Sequence, residues 1–296
     1  MDKASLTTVS GFSNVLKNYE KSIASLLQNE YGISVEQFYI TCVNAVKKNP
    51  KLLNCDPKSL FGAILLSAEC GLRPNTEEQH AYIIPFKGEA KFQIGYQGLL
   101  AMMYRNPRVK KIWSEVVFEK DEFRVELGVN PTLIHIPYRG IDRGNLTCVY
   151  AVCKLDGDES IFTVVEKHDL DKIKSFSQSA NSDSFKYSPY NNGTDVHHFM
   201  EKKSAIKKLS KMIPKAGRIE ISKGIDYDSR FEGGATVRVE IPDDPNEVVH
   251  PEIVSKSIGN SFETAFDEVV EPKLESELRV LDDEDTFEGN EQSNLF

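Results

Sequence analysis

Residues 56–106, DPKSLFGAILLSAECGLRPNTEEQHAYIIPFKGEAKFQIGYQGLLAMMYRN, constrain the fold more than any other stretch of the chain. Asp56 suits a helix cap, and Pro57 fits the first helical position, where its missing N–H leaves nothing unsatisfied. Leu60, Phe61, Ile64, Leu65 and Ala68 recur at three-to-four spacing and paint one apolar stripe. Gly71 suits the left-handed residue that ends a helix, and Pro74 prevents a restart. Residues 80–86 and 91–94 then read as two strands of a hairpin around the turn Lys87-Gly88-Glu89-Ala90. Alternation on the second strand sends Lys91, Gln93 and Gly95 one way and Phe92, Ile94 and Tyr96 the other. One face can therefore rest on protein while the other meets something polar. Residues 97–106 read as a second helix, closed by Pro107.

The blocks CDPKSLFGAILLSAECGL, HAYIIPF and FQIGYQGLLAMMYR resemble the RecT family of phage single-strand DNA annealing proteins. DEFRVELG, LIHIP, VYAVCKL and EKKSAIKKLSKMIP follow in the same family order, so the resemblance covers residues 40–225 or so. It implies ATP-independent binding and annealing of complementary single strands in phage-type homologous recombination. The acting species would be an oligomer, a ring or helical filament, that grips the phosphate backbone. The implied partners are single-stranded DNA, the annealed duplex, further copies of the chain, and a phage exonuclease and a host single-strand binding protein reached through the C-terminal tail. A fold akin to the lambda Red and Rad-type annealing proteins is implied as well.

Net charge at first argues against nucleic acid, since the chain carries −9 at neutral pH. The charge is unevenly spread. Residues 1–225 hold 31 Lys/Arg against 25 Asp/Glu, a net of +6, while residues 226–296 hold 5 against 20, a net of −15. Three parts are expected: an N-terminal helical segment (1–33), a DNA-binding annealing domain (34–225) and an acidic, disordered tail (226–296). The tail combines acids with scattered apolar groups, and one reading has it compete with DNA for the basic groove. Cys42, Cys55, Cys70, Cys148 and Cys153 show no CxxC pair and read as reduced, buried thiols; Cys148 and Cys153, five apart on one strand, should face opposite sides. No apolar run approaches the ~18 residues of a membrane span, so a soluble, cytoplasmic protein is expected.

The order of elements indicates α+β architecture. Residues 14–28 read as one helix, and Ser34 with Gln37 as the capping box of the next. After a protruding β-hairpin come strands at 112–118, 123–127, 133–136, 146–155 and 160–165, whose short links favour an antiparallel sheet packed with helices. Residues 177–194 form a Ser- and Asn-rich loop in which Phe185, Tyr187 and Tyr190 beside Lys186 could stack bases. A last helix, 195–213, carries a core-facing stripe of Phe199, Ile206, Leu209 and Ile213. Lys203, Lys207 and Lys211 stack at i, i+4 on it, and like charges at that spacing repel unless a polyanion is present.

No GxxxxGK[ST] occurs, which removes the phosphate cradle of an ATP-driven strand-exchange motor. No catalytic triad or metal-ligand spacing is found: His197 and His198 are adjacent, and Asp142, Asp156, Asp158 and Glu159 sit in turns. Bond-breaking chemistry is not expected, and the rival reading is a metal-dependent nuclease of a phage recombination system. No cofactor is expected; magnesium would assist annealing without a dedicated protein site. The candidate DNA-binding residues are Arg73, Tyr82, Lys87, Lys91, Gln93, Tyr96, Arg105, Lys110, Lys111, Lys202, Lys203, Lys207, Lys208 and Lys211, with Arg108, Trp113 and Lys215 beside them. The hairpin and the lysine-bearing helix are expected to form two walls of one groove.

Overall fold

A computed structural model describes residues 7–27, 31–157, 159–176, 195–213, 219–232, 236–241 and 251–256. The chain opens with helices α1 (Val9–Lys17) and α2 (Glu20–Leu26) rather than one helix over 14–28. The break at Asn18 and Tyr19 lets Phe12 and Tyr19 both stack on Phe61, with ring centroids 5.7 and 4.8 Å away. Helices α1 and α2 are thus packed onto the central core. Helix α3 (Val35–Lys48) starts at the expected capping box: Ser34 Oγ accepts the Gln37 N–H at 3.1 Å, and Gln37 Oε1 accepts the Ser34 N–H at 3.3 Å.

Helix α4 (Pro57–Glu69) is the spine of the molecule. Asp56 caps it by accepting the Ser59 N–H at 2.9 Å. Its far end closes at Gly71, whose φ of +58° lets the Gly71 and Leu72 N–H groups donate back to Ala68 and Ser67 at 2.9 and 3.0 Å. Leu60, Phe61, Ala63, Ile64, Leu65, Leu66 and Ala68 are all buried, so the helix is covered on every side.

Strands β1 (Ala81–Phe86) and β2 (Glu89–Ile94) form the expected hairpin with a tighter turn. Lys87 and Gly88 both have positive φ (47° and 80°), which closes the hairpin in two residues and starts the second strand at Glu89. The hairpin does not protrude. Ala81, Ile83, Phe92 and Ile94 are buried against the core, and β2 packs on α4. Helix α5 (Tyr96–Tyr104) follows so closely that a Cβ on Gly98 would overlap the His80 carbonyl oxygen.

Strands β3 (Val109–Phe118), β4 (Glu122–Glu126), β5 (Thr132–Ile136), β6 (Leu146–Leu155) and β7 (Ser160–Glu166) come next. An antiparallel sheet has the order β3-β6-β7, and β4-β5 is a separate hairpin set between β3 and β6. Alternation gives the sheet two faces. Ile112, Val116, Val149, Ala151, Cys153 and Val165 join the main core; Val117, Cys148, Tyr150 and Val152 form a smaller cluster under Phe123 and Leu133. Cys148 and Cys153 thus face opposite sides, and burial pushes both thiols up to about 11. The β4-β5 hairpin is the exposed one, with Leu127 and Val129 at its tip 81% and 97% accessible. Its base is fixed by Asp121, which accepts the Phe118 and Tyr138 N–H groups at 2.9 Å and bonds with Arg143 and His135. Burial alone would raise this carboxyl, but the hydrogen bonds outweigh it and hold the group well below the usual range.

Helices α6 (Lys167–Phe176), α7 (Phe199–Met212) and α8 (Ile219–Glu232) and the hairpin β8 (Thr236–Glu240)–β9 (Glu252–Lys256) complete the α+β fold among the described residues. Residue 226 is not a structural boundary. Tyr227, Asp228, Val237, Val239 and Ile241 are buried in the main core, because an alternating Val-x-Val-x-Ile run makes a strand whatever its acidic surroundings. The remainder of the proposed tail, the 177–194 loop and Lys215 lie outside the described residues.

Helix α4 and β8 approach so closely at Gly62 that a Cβ there would lie 2.9 Å from Val239 Cβ and 3.0 Å from its carbonyl oxygen. Replacing Gly62 by Val should overpack this contact and lower stability by about 1–3 kcal/mol. Urea unfolding checks it, and an unchanged midpoint would mean that β8 does not dock on α4.

Candidate nucleic-acid interface

Helix α7 buries Ala205, Ile206 and Leu209 against the sheet. Its lysines do not share one solvated face. Lys203 and Lys207, one turn apart, turn inward to meet Asp228 and Glu232, one turn apart on α8. Lys203 Nζ lies 2.9 Å from Asp228 Oδ2 and 2.5 Å from Glu232 Oε1; Lys207 Nζ lies 2.5 Å from Asp228 Oδ2 and also pairs with Glu232. Both lysine side chains are only 4% exposed. Burial would push the Lys203 ammonium down, but the two carboxylates overcome it and hold the group above its ordinary value. Asp228 Oδ1 also accepts the Ile94 N–H at 2.9 Å, which ties the end of β2 into the same cluster.

The sequence-based assignment of Lys203 and Lys207 to phosphate contacts is therefore corrected: their charges are spent inside the fold. The acids that neutralise them lie in the segment that composition places in the tail. Lys202 pairs with Glu115 at 3.0 Å, and Lys208 donates to the Val164 carbonyl at 2.9 Å, pinning α7 to β7. Lys211 is exposed near the end of the helix.

On the hairpin, Tyr82 and Gln93 are cross-strand partners on one face. With Gln79, Tyr96, Gln97, Asp195, Phe199 and Lys203 they line a cleft of about 330 Å³ between the hairpin and the start of α7. Tyr96 packs on Phe199 with ring centroids 5.4 Å apart. Burial pushes its phenol up to about 12, with Glu115 and Tyr104 adding to the effect, so the hydroxyl stays neutral. Burial raises Tyr82 as well, with Lys203 opposing. The cleft thus offers flat rings, three amides and two neutral phenols, a set that can stack on a planar heterocycle and hydrogen-bond its edges.

The other candidates fall elsewhere. Lys91 is buried: its Nζ donates to the Val237 carbonyl at 2.5 Å and pairs with Glu89 at 2.6 Å, so β8 covers the side of the hairpin expected to be polar. Arg105 donates to the Cys70 and Gly71 carbonyls at 2.6 and 2.7 Å and lies 4.2 Å from the Tyr31 ring centroid; it closes the end of α4. Arg73 pairs with Glu78, and Lys87 lies exposed at the hairpin turn, 5.3 Å from the Phe86 ring centroid. Lys110 pairs with Asp156 at 2.8 Å, Arg108 with Glu159, and Lys111 lies over Trp113 on the sheet. Tyr82, Gln93 and Tyr96, named from the sequence as separate candidates with Gln93 and Tyr96 on opposite sides of the strand, line one cleft, because the chain turns into α5 at Gly95. Gln79 and Gln97 were not named, and Phe199, read as core, is 40% exposed. Among the described residues, no group of three His, Cys, Asp or Glu is placed to hold a metal ion, and no helix is long and apolar enough to cross a membrane.

The sequence model of the RecT family matches residues 36–229. The chain belongs to the RecT family. It is 31% identical to Protein RecT of Escherichia coli (strain K12) over 208 residues, 67% of this chain and 72% of that one. It is also 25% identical over 91 residues to the uncharacterized protein YqaK of Bacillus subtilis (strain 168), covering 31% and 32% of the two chains. The RecT-family match runs from α3 to α8 and so takes in the whole cleft and most of both helices of the charge cluster. Asp228 falls within it, and Glu232 lies three residues past its end. Membership makes this a DNA-binding protein of recombination.

Removing one partner from a buried ion cluster strands the others, so Asp228→Ala should lose about 3–5 kcal/mol of stability at neutral pH. The pairing lowers Glu232 from an ordinary 4.5 to about 2, against the opposing effect of burial. A depressed carboxyl stabilises the fold above its unfolded value and loses that contribution as pH falls toward the folded one. The stability gap between the parent and Glu232→Gln should therefore narrow between pH 4.5 and about 2, read as urea midpoints at each pH.

Proposed function

We propose that the cleft between the β1-β2 hairpin and α7 holds single-stranded DNA, and that the protein anneals complementary strands without ATP, as an oligomer. The observation that carries this reading is the RecT-family match over residues 36–229, inside which every residue lining the cleft falls. Tyr82, Gln93 and Tyr96 remain in the proposed DNA-binding set, joined by Gln79, Gln97 and Phe199. Arg73, in the loop before β1, and Lys87, at the hairpin turn, stay in the set as cations that flank the hairpin. Lys91, Arg105, Lys203, Lys207 and Lys208 leave the set, because each is engaged within the fold.

An annealing protein faces a constraint that a plain single-strand binder does not. If side chains wrapped every base, the complementary strand could not pair. One small cleft per subunit engages one or two nucleotides and leaves the other Watson–Crick edges open. Sequence specificity is then delegated to base pairing, and binding should weaken with salt in proportion to the few phosphate contacts that displace counterions. The absence of a GxxxxGK[ST] sequence supports a reaction driven by base pairing alone. Partner proteins, an exonuclease and a single-strand binding protein, would be met through the acidic C-terminal residues.

The test mixes two complementary labelled oligonucleotides with the full-length protein in magnesium without ATP. Hybridisation should accelerate with strand length unchanged; shortened strands would mark a nuclease, and no acceleration at any ionic strength would refute the proposal. Stacking on an aromatic contributes about 1–3 kcal/mol per base, so Tyr82→Ala should weaken single-strand binding by roughly 5- to 150-fold in a polarisation assay.

A further inference from the structure

The face of the β3-β6-β7 sheet turned away from α7 carries a feature that the cleft does not use. Lys111 on β3 and Lys154 on β6 are directly opposed across neighbouring strands, and both are exposed. Like charges placed so are destabilising. Among the described residues, no carboxylate pairs with either one. Of the acids in the nearby turn, Asp156 pairs with Lys110 and Glu159 with Arg108. In the next row along the same face, Trp113 is opposite Val152 and Val152 is opposite Phe162. Val152 is buried between its neighbours, while Trp113 and Phe162 are half-buried and keep part of their rings open. One row further on, Phe123 of the β4-β5 hairpin stacks on Tyr150 at 5.7 Å and covers the face there. Lys111 Nζ sits 5.5 Å from the Trp113 ring centroid, so cation and ring form one patch.

We infer that this face is a second binding site for single-stranded nucleic acid, separate from the cleft. Two unneutralised cations on one row call for a polyanion, and two flat rings on the next call for unpaired bases, the combination by which sheet surfaces hold single strands. A duplex satisfies only the first requirement, since its bases are already stacked on one another. Trp113 and Phe162 would take adjacent bases while Lys111 and Lys154 meet their phosphates. The inference rests on the proposed annealing function, to which it adds a place for a second strand away from the first.

Trp113 is the only tryptophan in the sequence, so its emission reports on this face alone. The full-length protein is titrated with a fluorescein-labelled oligothymidylate, and polarisation of the label and tryptophan emission are followed together. Polarisation should rise and Trp113 emission should fall severalfold, while a duplex of equal length leaves the emission nearly unchanged. The double variant Lys111→Glu/Lys154→Glu, both positions being exposed, should raise polarisation through the cleft yet lose the quenching. Rising polarisation with silent Trp113 overturns this site and leaves the annealing function standing. Quenching of the double variant equal to the parent's also overturns it, because assembly of copies would then account for the signal. Flat polarisation with unchanged emission overturns both readings.

Discussion

Two lysines on α7 and two carboxylates on α8 govern how the C-terminal part of the chain meets the rest. Each of these ions loses several kcal/mol of hydration on burial, and mutual attraction returns much of it only while all four are present. The cluster therefore contributes position more than net stability. Lys203 and Lys207 are separated by one helical turn, as are Asp228 and Glu232, so two turns of each helix are held in one register. An apolar contact would tolerate a slide along the helix that these ion pairs do not. Through the Ile94 N–H the same carboxylate fixes the end of β2, and Gly95 and Tyr96 follow directly from there. The cleft is thus placed by a charge cluster whose members lie mostly beyond it.

This arrangement sets the electrostatic character of the cleft. Lys203 reaches its wall, but its charge is shared with two acids, so the wall is close to neutral. Tyr82 and Tyr96 stay protonated through the physiological range because burial disfavours their phenolates. Recognition there works by ring faces and amide hydrogen bonds. The less engaged cations are found elsewhere, at the hairpin turn (Lys87) and on the outer face of the sheet (Lys111, Lys154). Stacking and charge are separated in space instead of being concentrated on one lysine-rich helix.

What could be read in advance follows from the range of each interaction. The Asp56 cap, the Ser34/Gln37 box, the Gly71 terminus and the hairpin around Gly88 all depend on residues a few positions apart, and all four are found. So is the alternation that separates Cys148 from Cys153. The errors came from partners distant in sequence. Lys91 looks solvent-facing until the Val237 carbonyl, 146 residues later, accepts a hydrogen bond from its Nζ. Arg105 looks like a phosphate ligand until its carbonyl acceptors at Cys70 and Gly71, about one helix and one hairpin earlier, come into view. One clue to the charge cluster was present: a Lys-x₃-Lys spacing on one helix and an Asp-x₃-Glu spacing on the next are complementary. Reading the second as tail hid the match.

Moving the end of the fold past 226 also changes what the net charge means. Residues 1–256 hold 34 Lys/Arg against 33 Asp/Glu, a net of +1, and residues 257–296 hold 2 against 12, a net of −10. The body is nearly neutral, so a broad cationic field cannot be what draws DNA to it. Attraction must come from a few locally unbalanced cations, which act over about one Debye length, ~8–10 Å at ordinary salt. That restraint suits the proposed annealing role. A strongly basic groove would hold both strands and resist their rearrangement into a duplex, whereas sparse contacts keep a first strand in place and leave its pairing edges to find a mate. On this account, weak electrostatics is a condition for annealing, and the internal neutralisation of Lys203 and Lys207 serves it as much as it serves the fold.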